Sequence, residues 1–337
     1  MIRTPSLPKS TRASALLIVL WAAFGFGPLP AAAATTEPWI KVESPHFIVL
    51  TLAPESTARA WCLALEQFVQ GLGEVIAMPE SKLTKATVLL FRTDRELRPF
   101  KPLENGQPKA VVGFFVRGAE TPFIALALDA RQSSIRRTVL HETVHWYLSA
   151  SDVKLPLWLS EGLADVYATF AVDGGDAVFG ELQPNHLREL RRQRPIKVER
   201  TVNTTPGSLD YNEGLRAPVF YAEAWGLTHY LLFGPGTPGR DSVKEYVAAL
   251  RTAATPKLAL EQILGADCDE IARRLGAYIG AGTHPVHRFK LPLAGIEASL
   301  RSTAATAAEA QRAQDELLLA VRRRLATEAI TRLRSER

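Results

Sequence analysis

The chain has 337 residues, of which 40 are Lys or Arg and 35 are Asp or Glu, and its sequence pI is about 9.2. The basic residues form no long stripe before the C-terminal tail, so the positive balance does not indicate a nucleic-acid-binding face. The only two cysteines, Cys62 and Cys268, lack metal-ligand spacing, although in an exported chain they could pair. A chain of this length can bury a substantial core, as one large domain or two smaller ones.

The N-terminal segment has the pattern of a secretory signal peptide. Arg3, Lys9 and Arg12 precede the apolar run ALLIVLWAAFGFG, and small residues follow up to Ala34. The run is shorter than the roughly 20 residues of a spanning helix, and Gly and Pro interrupt it. We therefore predict cleavage after Ala34 and a periplasmic or extracellular location, with no stable membrane span afterwards. Without residues 1–34 the chain carries 37 basic and 35 acidic residues.

Residues 35–132 are predicted to form an N-terminal α/β part. An amphipathic helix is indicated by apolar residues that recur at helical spacing from Ala60 to Leu72. Segments rich in β-branched and aromatic residues predict four strands. They lie at residues 46–51, 86–93, 110–116 and 123–129.

From Ser133 onward the pattern is helical, and residues 133–284 are predicted to form the catalytic part. Residues 171–216 are rich in Gly, Asn, Pro and Arg and indicate a long excursion with broken helices. Residues 285–337 are predicted as a C-terminal tail that is helical over 297–337. The fold class is therefore α+β: a small mixed sheet with a long helix N-terminally, followed by a mostly helical part. The helices expected in the catalytic part cover residues 133–151, 156–170, 217–234, 241–253 and 258–281.

The stretch HETVH, residues 141–145, predicts a metal centre. Residues i and i+4 share one face of a helix, so His141 and His145 can bind the same ion. Glu142 then lies beside the metal, where its carboxylate can accept a proton from a water that zinc has activated. The alternative is an ordinary helix that carries these three residues by coincidence.

A third ligand is predicted downstream in WLSEGLADVY. Glu161 lies in an otherwise apolar helix, where an unpaired carboxylate would be costly. The short connection to the preceding helix favours antiparallel neighbours, which would return Glu161 towards the two histidines. Asp165 lies one turn later and is positioned to accept the other ring N–H of a ligating histidine. The alternative is that both acids are solvated polar residues of a surface helix.

HETVH followed by WLSEGLADVYA resembles the gluzincin metallopeptidases, specifically the peptidase MA-like group of exported bacterial proteins. PHFIVLT with its following helix, and FYAEAWGLTHYLL, are similar to the same group, so the resemblance covers roughly residues 39–280. It implies a zincin-like catalytic part that binds Zn2+. It also implies zinc ligands at His141, His145 and Glu161 and a general base at Glu142. Asp165 would then be a carboxylate that hydrogen-bonds to a ligating histidine.

The resemblance also implies a group that stabilises the oxyanion and a strand that binds substrate. The candidates for the oxyanion are Tyr221, His229 and Tyr230, and we favour Tyr221 because it lies at the start of its helix, where it can face a cleft. Peptide substrates are expected to pair with a sheet edge at residues 111–118 or 123–129.

These patterns predict an exported zinc metallopeptidase that acts on a peptide or protein substrate, with no nucleic-acid partner. The first alternative is a catalytically silent zinc-binding scaffold or chaperone of the cell envelope, although such a site needs no base like Glu142. The second alternative is an interaction module that binds through the tail 297–337. The sequence does not predict the cleavage specificity or the oligomeric state.

Overall fold

The structure is a computed structural model that describes residues 38–76, 82–104, 106–150, 154–192, 197–212, 216–281, 284–292 and 295–335, with side chains up to residue 327 in the last helix. The predicted signal peptide, residues 1–34, lies outside the described residues. From Pro38 onward the described chain forms one compact unit. The predicted internal boundaries after residues 132 and 284 stay predictions.

The described residues form eleven strands, thirteen α-helices and two short 3-10 helices, at Arg98–Phe100 and Gly239–Asp241. The strands are β1 Trp39–Glu43, β2 Phe47–Thr51, β3 Ala86–Phe91, β4 Leu103–Glu104, β5 Gln107–Pro108, β6 Gly113–Arg117, β7 Pro122–Ala127, β8 Ala171–Asp173, β9 Asp176–Phe179, β10 His287–Lys290 and β11 Arg301–Ala305. The helices are α1 Glu55–Val75, α2 Asp94–Leu97, α3 Gln132–Ser149, α4 Leu157–Tyr167, α5 Pro184–Arg192, α6 Val198–Asn203, α7 Leu209–Asn212, α8 Ala217–Phe233, α9 Ser242–Leu250, α10 Pro256–Leu264, α11 Cys268–Gly280, α12 Ile296–Ser299 and α13 Ala307–Ser335.

A six-stranded mixed sheet has the strand order β11-β1-β2-β3-β7-β6. The three central strands, β2, β3 and β7, are parallel, with Val49 opposite Val88 and Leu89 opposite Ala125. β1, β11 and β6 run antiparallel to their neighbours. β2 and β3 can be parallel because α1 makes the crossover between them. The predicted α+β class, with a small mixed sheet and a long N-terminal helix, is confirmed.

The centre of this sheet is covered on both faces. Val88 and Leu90 of β3 point into the core that α1, α3 and the other helices share. Leu89 and Phe91 point to the opposite face, where they pack with Leu317 of α13. A strand covered on both faces is buried at every position and largely apolar, which explains why β3, with Thr87 as its one polar residue, lacks the alternation of a half-exposed strand.

The predicted helix over 297–337 is wrong at residues 301–305, which form β11. This strand pairs antiparallel with β1, with Ser302 opposite Val42. Its sequence RSTAA has no strong strand preference, so pairing with β1 rather than local propensity determines its conformation. The predicted helical character holds for α12 and α13 on either side.

The excursion at residues 171–216 contains more than broken helices. Its first part is the hairpin β8–β9, which turns at Gly174 and Gly175 with φ of 57° and 85°. β10 adds to this hairpin and completes a three-stranded sheet. The helices α5, α6 and α7 follow.

Neither cysteine forms a disulfide. Cys62 in α1 and Cys268 in α11 are both buried as free thiols. Burial raises the pKa of Cys62 to about 11, so this thiol is protonated at neutral pH.

Within the described ranges, no helix has both the length and the apolar character that crossing a bilayer requires.

Candidate metal centre

Two of the predicted ligands lie one helical turn apart on α3. This helix is anchored in the core by Val139, Leu140 and Val144, all at most 1% exposed. His141 and His145 therefore share the face that is only partly covered, and their ring centroids are 4.8 Å apart. The spacing of HETVH thus places both imidazoles over one point beside the helix.

The third predicted ligand is delivered by α4, which packs against both α3 and α8. Trp158 and Leu163 are fully buried and hold α4 in the core. Gly162 allows the close approach to α8, because a Cβ at this position would lie 2.0 Å from Thr228 Oγ1. As a result, Glu161 is 6% exposed and its carboxylate faces the two histidines.

The three ligand atoms stand at the spacing of a zinc coordination sphere. His141 Nε2 and His145 Nε2 are 3.1 Å apart, and each lies 3.4 Å from Glu161 Oε2. Zinc–nitrogen bonds of 2.0–2.1 Å in tetrahedral geometry separate neighbouring ligand atoms by roughly 3.3 Å. The donor set, two imidazoles and one carboxylate, is also one that catalytic zinc sites use. The residues therefore fit a zinc ion.

The electrostatics of the cluster keep Glu161 ionised. Burial alone would raise the pKa of this carboxyl, but the charges and hydrogen bonds of His145 and His141 outweigh burial and hold the pKa far below its usual range. Burial likewise opposes protonation of His141, and hydrogen bonds to Asp165 and Glu161 overcome it and raise the pKa of this imidazole. A divalent cation placed between these groups would take over the role of the proton.

Both histidines have a partner at the ring nitrogen that faces away from the cluster. His141 Nδ1 lies 3.0 Å from Asp165 Oδ1, and His145 Nδ1 lies 3.4 Å from Ser160 Oγ. The ionised Asp165, whose pKa is about 2 with burial outweighed by its two histidine partners, can only accept a hydrogen bond. Neutral His141 must therefore carry its proton on Nδ1, which leaves the Nε2 lone pair available to a metal.

Glu142 lies beside the cluster and is not one of its three ligands. Its Oε2 accepts a hydrogen bond of 2.9 Å from the backbone N–H of Phe115, in β6. β6 is an edge strand of the sheet, whereas β7 is internal. Of the two segments predicted to bind substrate, only 111–118 thus includes an edge strand. The carbonyl of Phe115 accepts a hydrogen bond of 3.4 Å from Arg324 of α13.

Tyr221 is near the cluster, but a second tyrosine is closer. Tyr211, on α7, donates a hydrogen bond of 3.3 Å to Glu161 Oε1. The rings of Tyr211 and Tyr221 have centroids 6.0 Å apart. Burial and then the negative charge of Glu161 raise the pKa of both phenols, so both are O–H donors at neutral pH. Two phenol groups therefore border the ligand atoms.

The other two candidates for the oxyanion, His229 and Tyr230, have partners elsewhere. His229 is fully buried, with Nδ1 2.8 Å from Tyr278 Oη and Nε2 2.9 Å from the carbonyl of Gly180. Tyr230 is 2% exposed and its ring contacts that of Tyr278. The structure does not bring these two side chains to the metal ligands.

His229 is expected to make stability depend on pH. Burial lowers its pKa from 6.5 to about 4. The unfolded chain binds this proton first as the pH falls, so the free energy of unfolding should decrease between pH 6.5 and pH 4, by roughly 3 kcal/mol from this residue. Urea unfolding at several pH values should show a shallower decrease for His229→Gln. Identical slopes for the two proteins would contradict the assignment.

Three groups around the cluster had no signal in the sequence. Tyr211 and His186 come from the excursion at 171–216, whose composition predicted only broken helices and so assigned neither side chain a facing direction. The backbone N–H of Phe115 carries no sequence information at all. His186 Nε2 lies 3.0 Å from Asp165 Oδ2.

The fold and the cluster define an α+β protein with a candidate catalytic metal centre. A family model described as a protein of unknown function (DUF1570) matches residues 135–257, which include α4 and α8 and nearly all of α3. No curated protein matches the chain.

Proposed function

We propose that this chain is an exported zinc-dependent metallopeptidase that hydrolyses peptide bonds. One observation carries the proposal: two imidazole nitrogens and one carboxylate oxygen lie 3.1–3.4 Å apart, with a further carboxylate next to them on α3. A structural zinc site is usually closed by four protein ligands, whereas a catalytic site has three and an open position. Within the described residues, only His141, His145 and Glu161 form a group of this kind.

These three residues would hold the zinc ion, which supplies Lewis acidity and makes water a nucleophile at neutral pH. The neighbouring side chains orient the two imidazoles for metal binding. Asp165 and Ser160 hold the outer ring nitrogens, and the buried Glu161 provides the negative charge that compensates a cation in a site of low dielectric constant.

Glu142 is the proposed general base. Its carboxylate accepts the proton of the attacking water and then donates it to the nitrogen of the leaving amine as the C–N bond breaks. The hydrogen bond from Phe115 N–H holds one carboxylate oxygen, which restricts Glu142 to the cleft between α3 and β6. The other oxygen is then available for proton transfer.

The substrate peptide is proposed to lie along β6. Its backbone groups at Phe115 face away from β7, because they contact Glu142 and Arg324. Gly113 shares this orientation, since the direction of main-chain groups alternates along a strand. Because the Phe115 groups already have these partners, a pairing peptide would use the main-chain groups of Gly113, on a strand that packs against α3.

Tyr211 is the first candidate for the oxyanion, ahead of the Tyr221 expected from the sequence, because its hydroxyl reaches Glu161 directly. We expect Tyr211→Phe to lower kcat by about 10²-fold with little change in KM, as for the loss of one oxyanion donor. Tyr221→Phe should have a smaller effect, since Tyr221 borders the site through its ring contact with Tyr211, and phenylalanine keeps that ring. Steady-state kinetics on both variants would check the order, and a larger loss in Tyr221→Phe would reverse it.

The proposed function is tested on the purified protein by metal analysis and by cleavage of a denatured protein substrate. We expect about one zinc per chain and cleavage that a chelator abolishes and added zinc restores. Absence of bound zinc, with no uptake on addition, would overturn the metal centre. Zinc without cleavage of a broad set of peptides would favour the silent scaffold or chaperone.

The alternative of an interaction module based on the tail has less support. The apolar residues Leu317 and Val321 of α13 are 0% and 2% exposed and pack on the sheet. The face that a partner would need is therefore covered by the chain itself.

A further inference from the structure

The carboxylate of Asp165 contacts two imidazoles, those of His141 and His186. Asp165 Oδ1 lies 3.0 Å from His141 Nδ1, and Asp165 Oδ2 lies 3.0 Å from His186 Nε2. Asp165 is 8% exposed, so these two contacts dominate its environment. A chain of contacts thus runs from His186 through Asp165 to His141, whose Nε2 faces the other ligand atoms.

His186 is held in place by its own neighbours. Its ring stacks on the indole of Trp225, with centroids 5.5 Å apart and an angle of 29° between the planes. Gln183, three residues before His186, donates its amide N–H to the backbone carbonyl of Asp165. The start of α5 is therefore fixed both to α8 and to the second half of α4.

A single hydrogen bond leaves a carboxylate free to rotate about its terminal bond, which would change the orientation of the imidazole that it holds. A second donor on the other oxygen prevents this rotation. We propose that His186 is a positioning residue of the metal centre: its Nε2–H fixes the carboxylate of Asp165, which in turn orients His141 towards the metal. The inference rests on the proposed function in that His141 must be a ligand.

The rival explanation is purely architectural, in which the contact between His186 and Asp165 only attaches α5 to α4. The chain contains a matched pair for comparison. His46 Nδ1 lies 2.8 Å from Glu66 Oε2, and Glu66 is 6% exposed, so this too is an imidazole on a buried carboxylate. The pair joins the middle of α1 to the residue before β2, and His46 reaches α3 through the ring of Trp146. It contacts none of the three candidate ligands directly, which makes it a control for the cost of unpairing a buried acid.

The experiment measures the zinc dissociation constant by competition with a chromophoric chelator, and the absorption spectrum of the cobalt-substituted protein. His186→Phe retains an aromatic ring for Trp225 but lacks the donor. We expect it to weaken zinc binding by at least about 10-fold and to change the cobalt spectrum, as the loss of such partners does. His186→Gln retains a donor and should recover most of the affinity. His46→Phe should stay within about twofold of wild type even where it lowers stability.

Zinc affinity of His186→Phe within twofold of wild type would overturn the inference, as would an equal loss in His46→Phe. Should His186→Phe fail to fold, 15N NMR of the zinc-loaded wild type decides instead. The inference requires a proton on His186 Nε2, and a tautomer protonated only on Nδ1 would exclude it. Because affinity is measured apart from cleavage, zinc binding without cleavage would reject the peptidase and leave this inference standing. A wild type that binds no zinc would remove both.

Discussion

Glu142→Gln is expected to abolish peptide cleavage while leaving about one zinc per chain bound. The side chain lies beside the three ligand atoms and contacts Phe115 N–H through Oε2. An amide oxygen can retain that hydrogen bond, but the amide cannot accept the proton of the attacking water. Loss of a general base costs about 10²–10⁴ in kcat. Metal analysis and steady-state kinetics on the same preparation measure the two effects separately.

Glu161→Gln is the matched control, because it makes the same chemical change at the neighbouring carboxylate. This substitution removes the negative charge of a ligand while the side chain keeps its size. Zinc binding should therefore weaken by more than about 100-fold, which exceeds the effect of losing a residue that only hydrogen-bonds to a ligand. Cleavage should fall with zinc occupancy and recover partly at high zinc concentration. Zinc loss in Glu142→Gln, or retention in Glu161→Gln, would mean that the roles of the two carboxylates are assigned wrongly.

Gly162→Ala is expected to lower the free energy of unfolding by at least about 2 kcal/mol. The added methyl would lie 2.0 Å from Thr228 Oγ1 and 2.5 Å from the carbonyl oxygen of Ala224, and the latter is backbone that cannot turn away. α4 must therefore move away from α8. Because Glu161 precedes this glycine, zinc affinity should fall as well. Urea unfolding and the chelator competition measure the two losses.

Gly276→Ala provides the comparison for this substitution. This glycine lies inside α11, and a Cβ there would meet no atom within 4 Å. The same change should be neutral or stabilising by up to roughly 1 kcal/mol, since alanine is the better helix former. Equal effects at the two glycines would show that the contact between α4 and α8 does not limit the position of Glu161.

The candidate metal ligands could be located from the sequence because their spacing is local. His141 and His145 are one helical turn apart, and any helix through them presents both imidazoles together. Glu161 and Asp165 required one more assumption, that a short connection returns the next helix antiparallel. The structure places both carboxylates against His141, at 3.4 and 3.0 Å. Their functions as ligand and as partner stay predictions that zinc binding must test.

The strand β11 and the second tyrosine were not predictable in the same way. RSTAA at residues 301–305 forms a strand only because β1 offers its unpaired edge, more than 250 residues earlier in the chain. Tyr221 was favoured for its place at the start of a helix, yet α7 brings Tyr211 closer to Glu161. A facing direction for Tyr211 cannot be obtained from an irregular segment.

The α+β class, the helix that contains HETVH and its pairing with the helix of WLSEGLADVY could be predicted from the sequence, because they depend on periodicity and on residues close together in the chain. Three other contacts of the site could be seen only in the folded chain: Phe115 of β6 with Glu142, Tyr211 with Glu161, and His186 with Asp165. These contacts join residues 21–50 positions apart, and their geometry depends on how α3, α4 and α8 pack rather than on any local pattern.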